Sequence, residues 1–200
     1  MLCGTVLFLA LAGLALGQEH CDSPPQWTSK NFYFSPAQGH IQVVEAEYTY
    51  DKTNQRKSWR ERDAGPSAEP IHRIELGAER IEYVINERTG ACIAYPLRFP
   101  FYAHDVPVNA QFSGLFYVGS DAETEGSVEL SSWNARLTGS YWDGSFTSHG
   151  CIPYHSNHYN ASTFGIRFES IVDVSPGIDP NDFIPPASCH HAAEELRLKK

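Results

Sequence analysis

The chain of 200 residues carries 24 Asp and Glu against 15 Lys and Arg, which gives a formal net charge of −9 at pH 7. An acidic chain without a basic stretch does not complement a phosphate backbone, so we expect no nucleic-acid partner. The length suits one domain with a real core. A 12% aromatic content with a single methionine favours β-structure over helix.

The N-terminus predicts export. Residues 2–16, LCGTVLFLALAGLAL, carry no charge and are followed by Gly17. A membrane-spanning helix needs about 20 apolar residues, whereas a shorter apolar run followed by small residues is typical of a secretory signal peptide. We therefore expect residues 1–17 to be removed, together with Cys3. Residues 18–200 would then form a single, secreted β domain.

The first half of this domain predicts hairpins. IQVVEAEYTYD (41–51) predicts a strand, KTNQ (52–55) a turn, and RKSWRERD (56–63) the returning strand. A second hairpin is predicted from RIEYVIN (80–86), the glycine-containing turn ERTG, and ACIAYPL (91–97).

The second half begins with a proline-interrupted aromatic loop, residues 98–111. Four more strands and a short C-terminal helix follow: FSGLFYVG (112–119), SVELSSWNARL (127–137), GSYWDGSF (139–146), STFGIRFESIVDV (162–174) and the helical tail 190–200. About eight to ten antiparallel strands predict an all-β fold, either a two-layer antiparallel β-sandwich or a half-open barrel.

Four cysteines remain in the exported domain: Cys21, Cys92, Cys151 and Cys189. An even number in a secreted chain implies two disulfides, and sequence alone allows three pairings. A catalytic thiolate, Cys151 with His149 or His155 as its base, would require a free cysteine. Disulfide bonding is therefore the better interpretation of the stretch HGCIPYHSNHYNAST (149–163).

Metal and glycan signals are sparse. His155 and His158 lie three apart, but their proline- and asparagine-containing surroundings look like a turn rather than a helix face. The acidic segments DAETE (121–125) and DPND (179–182) are candidates for calcium, although no metal ligand can be assigned. Asn160 begins the one N-x-S/T sequon of the chain, so we expect a glycan there, on the surface.

Several phrases resemble the ependymin family, and their order and spacing match it over nearly the whole domain. These phrases are CDSPPQW (21–27), YTYDKTNQRKSWRER (48–62), TGAC (89–92), GCIPY (150–154) and DPNDFIPPASC (179–189). The resemblance implies that Cys21 joins Cys151 and that Cys92 joins Cys189. A third bridge found in many ependymin-related proteins has no cysteines to form it here.

The resemblance also implies a fold and a function. Its fold is two antiparallel sheets curled around a deep apolar pocket, similar to bacterial lipoprotein carriers. Its members are secreted glycoproteins, many of them dimeric, linked to calcium and in some cases to lysosomes and anionic lipids. We expect a homodimer and a lysosomal as well as an extracellular location. We expect no required cofactor, and calcium is the one ion that the resemblance suggests.

We therefore predict a non-catalytic protein that binds a hydrophobic or lipid-like ligand between its sheets. The alternative is an extracellular matrix or adhesion glycoprotein with calcium-dependent surface contacts; a secreted hydrolase is a third class. Nine apolar residues are the candidate pocket lining: Ile81, Tyr83, Phe112, Phe116, Trp133, Phe146, Phe164, Ile166 and Phe168.

The chain contains 9 histidines, which suggest a pH response. With ordinary pKa values of about 6.5, nearly all of them would be charged near pH 5 and would offset the formal charge of −9. We expect the chain to bind anionic liposomes more strongly at about pH 5 than at about pH 7.4. Equal binding at the two values would remove this hypothesis.

Overall fold

The computed structural model describes residues 20–37, 40–63, 69–97, 100–120, 126–160 and 165–198. The predicted signal peptide, the acidic segment 121–125 and Phe164 lie outside the described residues. The side chains of Asn160 and Ile166 also lie outside them.

Strands account for most of the described chain. They are β1 (Gln26–Ala37), β2 (His40–Asp51), β3 (Arg56–Asp63), β4 (Ile71–Leu76), β5 (Ile81–Asn86), β6 (Cys92–Pro96), β7 (Gln111–Val118), β8 (Val128–Leu137), β9 (Ser140–Thr147), β10 (Pro153–Asn160) and β11 (Gly165–Pro176). A 3₁₀ helix (Pro180–Phe183) and one α-helix, α1 (Cys189–Leu198), follow. No helix within the described ranges is long and apolar enough to cross a membrane.

The eleven strands form one hydrogen-bonded sheet in the order β6-β5-β4-β3-β2-β1-β11-β10-β9-β8-β7. Every neighbouring pair is antiparallel. The predicted all-β, antiparallel fold is confirmed. The sheet is continuous, and its edge strands are β6 and β7. The edge strand β7, QFSGLFYV, contains neither a charged residue nor a proline.

Two strands were missed at the sequence level, β1 and β4, and one segment was misassigned. The residues of β10 were expected to form a turn, but they form a strand between β9 and β11. Its polar side chains are satisfied across the sheet, since Trp142 Nε1 donates to Ser156 Oγ (3.0 Å). In β1 the buried positions include Ser29 and Asn31, which obscure the apolar alternation.

One face of the sheet, which we call the tryptophan face, is covered by the connection between β6 and β7. Its core contains Trp27, Tyr48, Tyr50 and Trp59, and further along the sheet Trp133 and Trp142. The loop residue His104 packs on this core, with ring centroids 5.4 Å from Trp27 and 5.1 Å from Tyr50. The connection therefore fills the space above this face with protein atoms.

Helices cover the second face at the β3–β6 end. There Phe183 of the 3₁₀ helix and Cys189 of α1 pack against Ile74, Ile81 and Tyr83. The 3₁₀ helix also reaches the end of β2, where Thr49 donates to Asp182. We call the rest of this face, on β1, β2 and β7–β11, the open face.

Two disulfides hold these coverings in place. Cys21 is bonded to Cys151, and Cys92 to Cys189, with Cα atoms 5.8 and 5.1 Å apart. This is the pairing that the resemblance implies. The bonded cysteines are 130 and 97 residues apart in sequence. In the chain-entropy model each bridge stabilises the fold by up to about 5 kcal/mol.

The turn between β2 and β3 is organised by the fully buried Asp51 (0% exposed). Its carboxylate accepts hydrogen bonds from the backbone and side chain of Asn54, from Arg56 and from Gln26. Burial alone would raise the pKa of Asp51, but these donors outweigh it and lower the pKa to about 2. The segment DKTNQR thus forms a tight hairpin around one ionised group.

Replacing Asp51 with Asn should lower the free energy of unfolding by about 3 kcal/mol, because Arg56 loses a buried ionic partner. Urea unfolding at neutral pH with the disulfides intact measures this loss. The matched control is Asp173→Asn, whose exposed carboxylate pairs with Lys30 at 3.0 Å and should contribute less than about 1 kcal/mol. Equal losses in the two variants would show that the buried network does not stabilise the hairpin.

Candidate functional site

The open face carries a set of large apolar side chains that remain 36–47% exposed. They share one face because residues directly opposite in an antiparallel ladder, and every second residue along a strand, lie on the same side. Phe34 is opposite both Val43 and Phe168, and Tyr141 is opposite Tyr159. The full set is Phe34, Val43, Phe116, Val118, Val128, Tyr141, Tyr159 and Phe168.

Contiguous exposed apolar surface of this kind marks an interaction or ligand-binding site, since isolated exposed residues are common but extended patches are not. The eight residues are spread over β1, β2 and β7–β11, the strands of the open face. The open face is therefore the candidate functional site.

A polar cluster lies in the middle of this apolar surface. It consists of Asp143 and Ser145 on β9 and of His155 and Asn157, which stand directly opposite them on β10. His155 Nε2 is 3.2 Å from Asp143 Oδ2, and Asn157 Nδ2 donates to the same oxygen at 2.8 Å. Ser145 Oγ is hydrogen-bonded to His155 Nδ1. The side chains of Asp143 and His155 are about one-third exposed, at 32% and 30%.

The trio Ser145, His155 and Asp143 has the residue types of a hydrolytic triad. A nucleophile must contact its substrate, however, and Ser145 is fully buried (0% exposed). The arrangement is therefore suited to holding the imidazole and the carboxylate in place rather than to attacking a bound ester.

The structure does not bring the nine predicted lining residues together. Ile81 and Tyr83 are buried beneath Phe183, and Trp133 and Phe146 belong to the core of the tryptophan face. Phe112 is exposed on the tryptophan-face side of β7, 5.4 Å from the Trp133 ring. Only two of the nine are described as exposed on the open face, Phe116 and Phe168.

Sequence reasoning missed several open-face residues, among them Phe34, Val43, Tyr141 and Tyr159. The sequence NFYFS of β1 did hold a signal, because its aromatic residues alternate between the two faces. The polar cluster was missed because His155 and Asn157 were assigned to a turn.

A separate cavity of about 250 Å³ lies between β6 and α1. It is lined by Cys92, Ile93, Ala94, Ser188, His191, Ala192 and Leu196. Its volume is below the roughly 300 Å³ at which ligand pockets begin.

The metal candidates are occupied by other contacts. Asp182 accepts from Thr49 (2.9 Å) and pairs with Arg60 (3.0 Å), and Asp179 accepts from the backbone N–H of Asn181. His155 and His158 point to opposite faces of β10, as their odd spacing in a strand requires. Among the residues that the structure describes, no three or more His, Cys, Asp or Glu side chains are grouped to hold a metal ion.

The fold and site define a disulfide-linked, antiparallel β protein with one face packed by its own chain and the other left apolar and exposed. The ependymin family model matches residues 67–189, and the chain belongs to the ependymin family. The mammalian ependymin-related protein 1 of Rattus norvegicus is 29% identical over 201 residues, covering 98% of this chain and 85% of that protein. Ependymin of Notemigonus crysoleucas is 26% identical over 196 residues, covering 95% and 90%.

Among solved structures, the chain is similar to a LolA superfamily protein from Nitrosomonas europaea. The TM-score is 0.38 and the identity 10%, with 80% of this chain and 90% of that chain covered.

One histidine departs from the expectation that nearly all nine become charged near pH 5. Burial, with the positive charge of Arg60 nearby, lowers the pKa of His72 to about 4. His72 Nε2 is 2.8 Å from Ser58 Oγ under the 3₁₀ helix. This side chain stays neutral near pH 5, so at most eight histidines can offset the charge of −9.

The low pKa of His72 predicts a loss of stability in acid. Between pH 6.5 and about pH 4 the unfolded chain binds a proton at this position and the native chain does not. The free energy of unfolding should therefore decrease as the pH is lowered from 6.5 to 4. At pH 4 the loss from this one group should be about 3 kcal/mol relative to neutral pH. The free energy of unfolding of His72→Gln, measured with urea, should depend less on pH than that of the unaltered chain. The exposed control His191→Gln should match the unaltered chain; identical slopes for all three would contradict the assignment.

Proposed function

We propose that this protein is a secreted, non-catalytic glycoprotein that binds a hydrophobic or lipid-like molecule on the open face. The observation that carries the proposal is the set of eight partly exposed apolar side chains on one side of β1, β2 and β7–β11. The tryptophan face cannot serve the same purpose over β1 and β2, because the connection between β6 and β7 already packs on it.

The energetics favour an elongated apolar ligand. Removing roughly 300 Å² of apolar surface from water contributes about 7 kcal/mol at about 25 cal/mol per Å². The entropy cost of binding offsets several kcal/mol of this.

Two features support export. The disulfides of residues 21 to 151 and 92 to 189 close most of the chain, and such bridges persist in oxidising compartments. Asn160 ends β10, next to the connection that carries the rest of its sequon.

The absence of turnover is supported by the position of Ser145. Its hydroxyl is the nucleophile that a serine-type triad would use, and it is fully buried. The cluster itself is satisfied by internal hydrogen bonds from Ser145 and Asn157.

The ligand proposal predicts that lipid co-purifies with the secreted protein, detectable by mass spectrometry of an organic extract. It also predicts saturable binding of the apolar dye Nile red. Phe168→Ser on the open face should weaken dye binding about tenfold, because it removes one buried aromatic contact.

The matched control is Phe112→Ser, an equally exposed aromatic on the other side of the sheet. It should bind Nile red like the unaltered chain, and urea unfolding should confirm that both variants fold. No extractable lipid together with no saturable dye binding would refute the proposal. Equal weakening by the two variants would show that the open face is not the binding site.

A further inference from the structure

We infer that the polar cluster of Asp143, Ser145, His155 and Asn157 selects the head group of the ligand. It favours a group that donates hydrogen bonds, above all an ammonium, and it disfavours a carboxylate. This inference rests on the proposed function, since it assumes that the apolar part of the ligand lies on the open face.

The hydrogen bonds of the cluster converge on one oxygen. A histidine tautomer with a proton on Nε2 lets Ser145 Oγ–H donate to Nδ1 and lets Nε2–H donate to Asp143 Oδ2. Asn157 Nδ2 donates to the same Oδ2 at 2.8 Å. The second N–H of Asn157 is unpaired in this tautomer, because His155 Nε2, at 3.2 Å, carries a proton and does not accept. The other donors of the cluster are directed at each other and at Asp143, whose carboxylate disfavours an anionic ligand.

What remains for a ligand is mainly acceptor capacity. Within the described part of the chain, the contacts of the Asp143 carboxylate involve Oδ2, and those of the Asn157 amide involve Nδ2. Asp143 Oδ1 and Asn157 Oδ1 are therefore available to accept hydrogen bonds. With the Asp143 carboxylate ionised and one-third exposed, these oxygens complement a cationic donor.

The charged neighbours do not cancel this preference. Lys30, on the same face, is paired with Asp173 at 3.0 Å. Arg136 on β8 stands opposite Tyr141, one row beyond Asp143. In the tautomer described above the His155 ring is uncharged, so among the described residues no cation is paired with Asp143. Asn134, directly opposite Asp143 on β8, donates to Ser113 at 2.6 Å.

The location also fits an amphipathic ligand. Phe168 is directly opposite Asn157, and Phe34 is directly opposite Phe168. At about 4.8 Å per strand, these rings lie roughly 10 and 14 Å across the sheet from Asp143. A head group held at the cluster would place its aliphatic chain over both phenylalanines.

The test compares three probes with the same aliphatic chain: dodecylamine, dodecanol and dodecanoate. Each displaces Nile red from the full secreted protein at neutral pH. We expect dodecylamine to displace the dye at about a tenfold lower concentration than dodecanoate, as one charge-assisted hydrogen bond predicts. Dodecanol should fall between them.

In Asp143→Asn, dodecylamine and dodecanoate should displace Nile red at the same concentration. The concentration of dodecanol that displaces the dye should be the same as for the unaltered protein. Glu79→Gln is the matched control, because it makes the same change in net charge at an exposed residue of the β4–β5 turn, and it should keep the preference. Urea unfolding should verify that both variants fold.

The outcomes separate the two proposals. Equal displacement by the three probes from the unaltered protein would overturn the head-group inference and leave the open-face proposal standing. A folded Asp143→Asn that retains the amine preference would also overturn the inference. Failure of every probe to displace the dye would count against the open-face proposal itself. If Asp143→Asn does not fold, the head-group inference is tested by the unaltered protein alone, from the ratio of the dodecanoate and dodecylamine concentrations that displace the dye.

Discussion

The packing of His104 against Trp27 and Tyr50 determines which side of the sheet becomes core. Both faces of this sheet carry aromatic side chains, so either could in principle be covered. The connection between β6 and β7, which are the two edges of the sheet, crosses the tryptophan face and occupies it. The disulfide from Cys21 to Cys151 lies in the same core further along. Among the described residues, the other face is left with partly exposed apolar side chains on β1, β2 and β7–β11.

Much of the backbone was predictable from sequence, because hairpins are local. The β2–β3 hairpin has the predicted turn at residues 52–55, where Asp51 gathers donors from its own turn. The strand β10 was not predictable in the same way. Its polar residues His155, Ser156 and Asn157, which bond to partners on β9, hid the apolar alternation that indicates a strand.

The binding surface was only partly predictable, since apolar alternation does not say which face is covered. Tyr83 and Phe168 have similar patterns along their strands. Tyr83 is buried by Phe183, which lies about a hundred residues later in the chain, whereas Phe168 has no such cover among the described residues. Only the tertiary structure distinguishes a buried core residue from an apolar residue that stays exposed.

The edge strand β7 also affects how copies of the protein meet. Sheet edges are usually guarded by lysine, proline or a bulge, and QFSGLFYV offers only the irregularity between Phe112 and Gly114. A net charge of −9 adds repulsion between copies, which acts over a Debye length of about 8 Å at physiological salt. High salt would screen that repulsion. The unpaired backbone groups of β7 would then be free to form hydrogen bonds with the edge strand of another molecule.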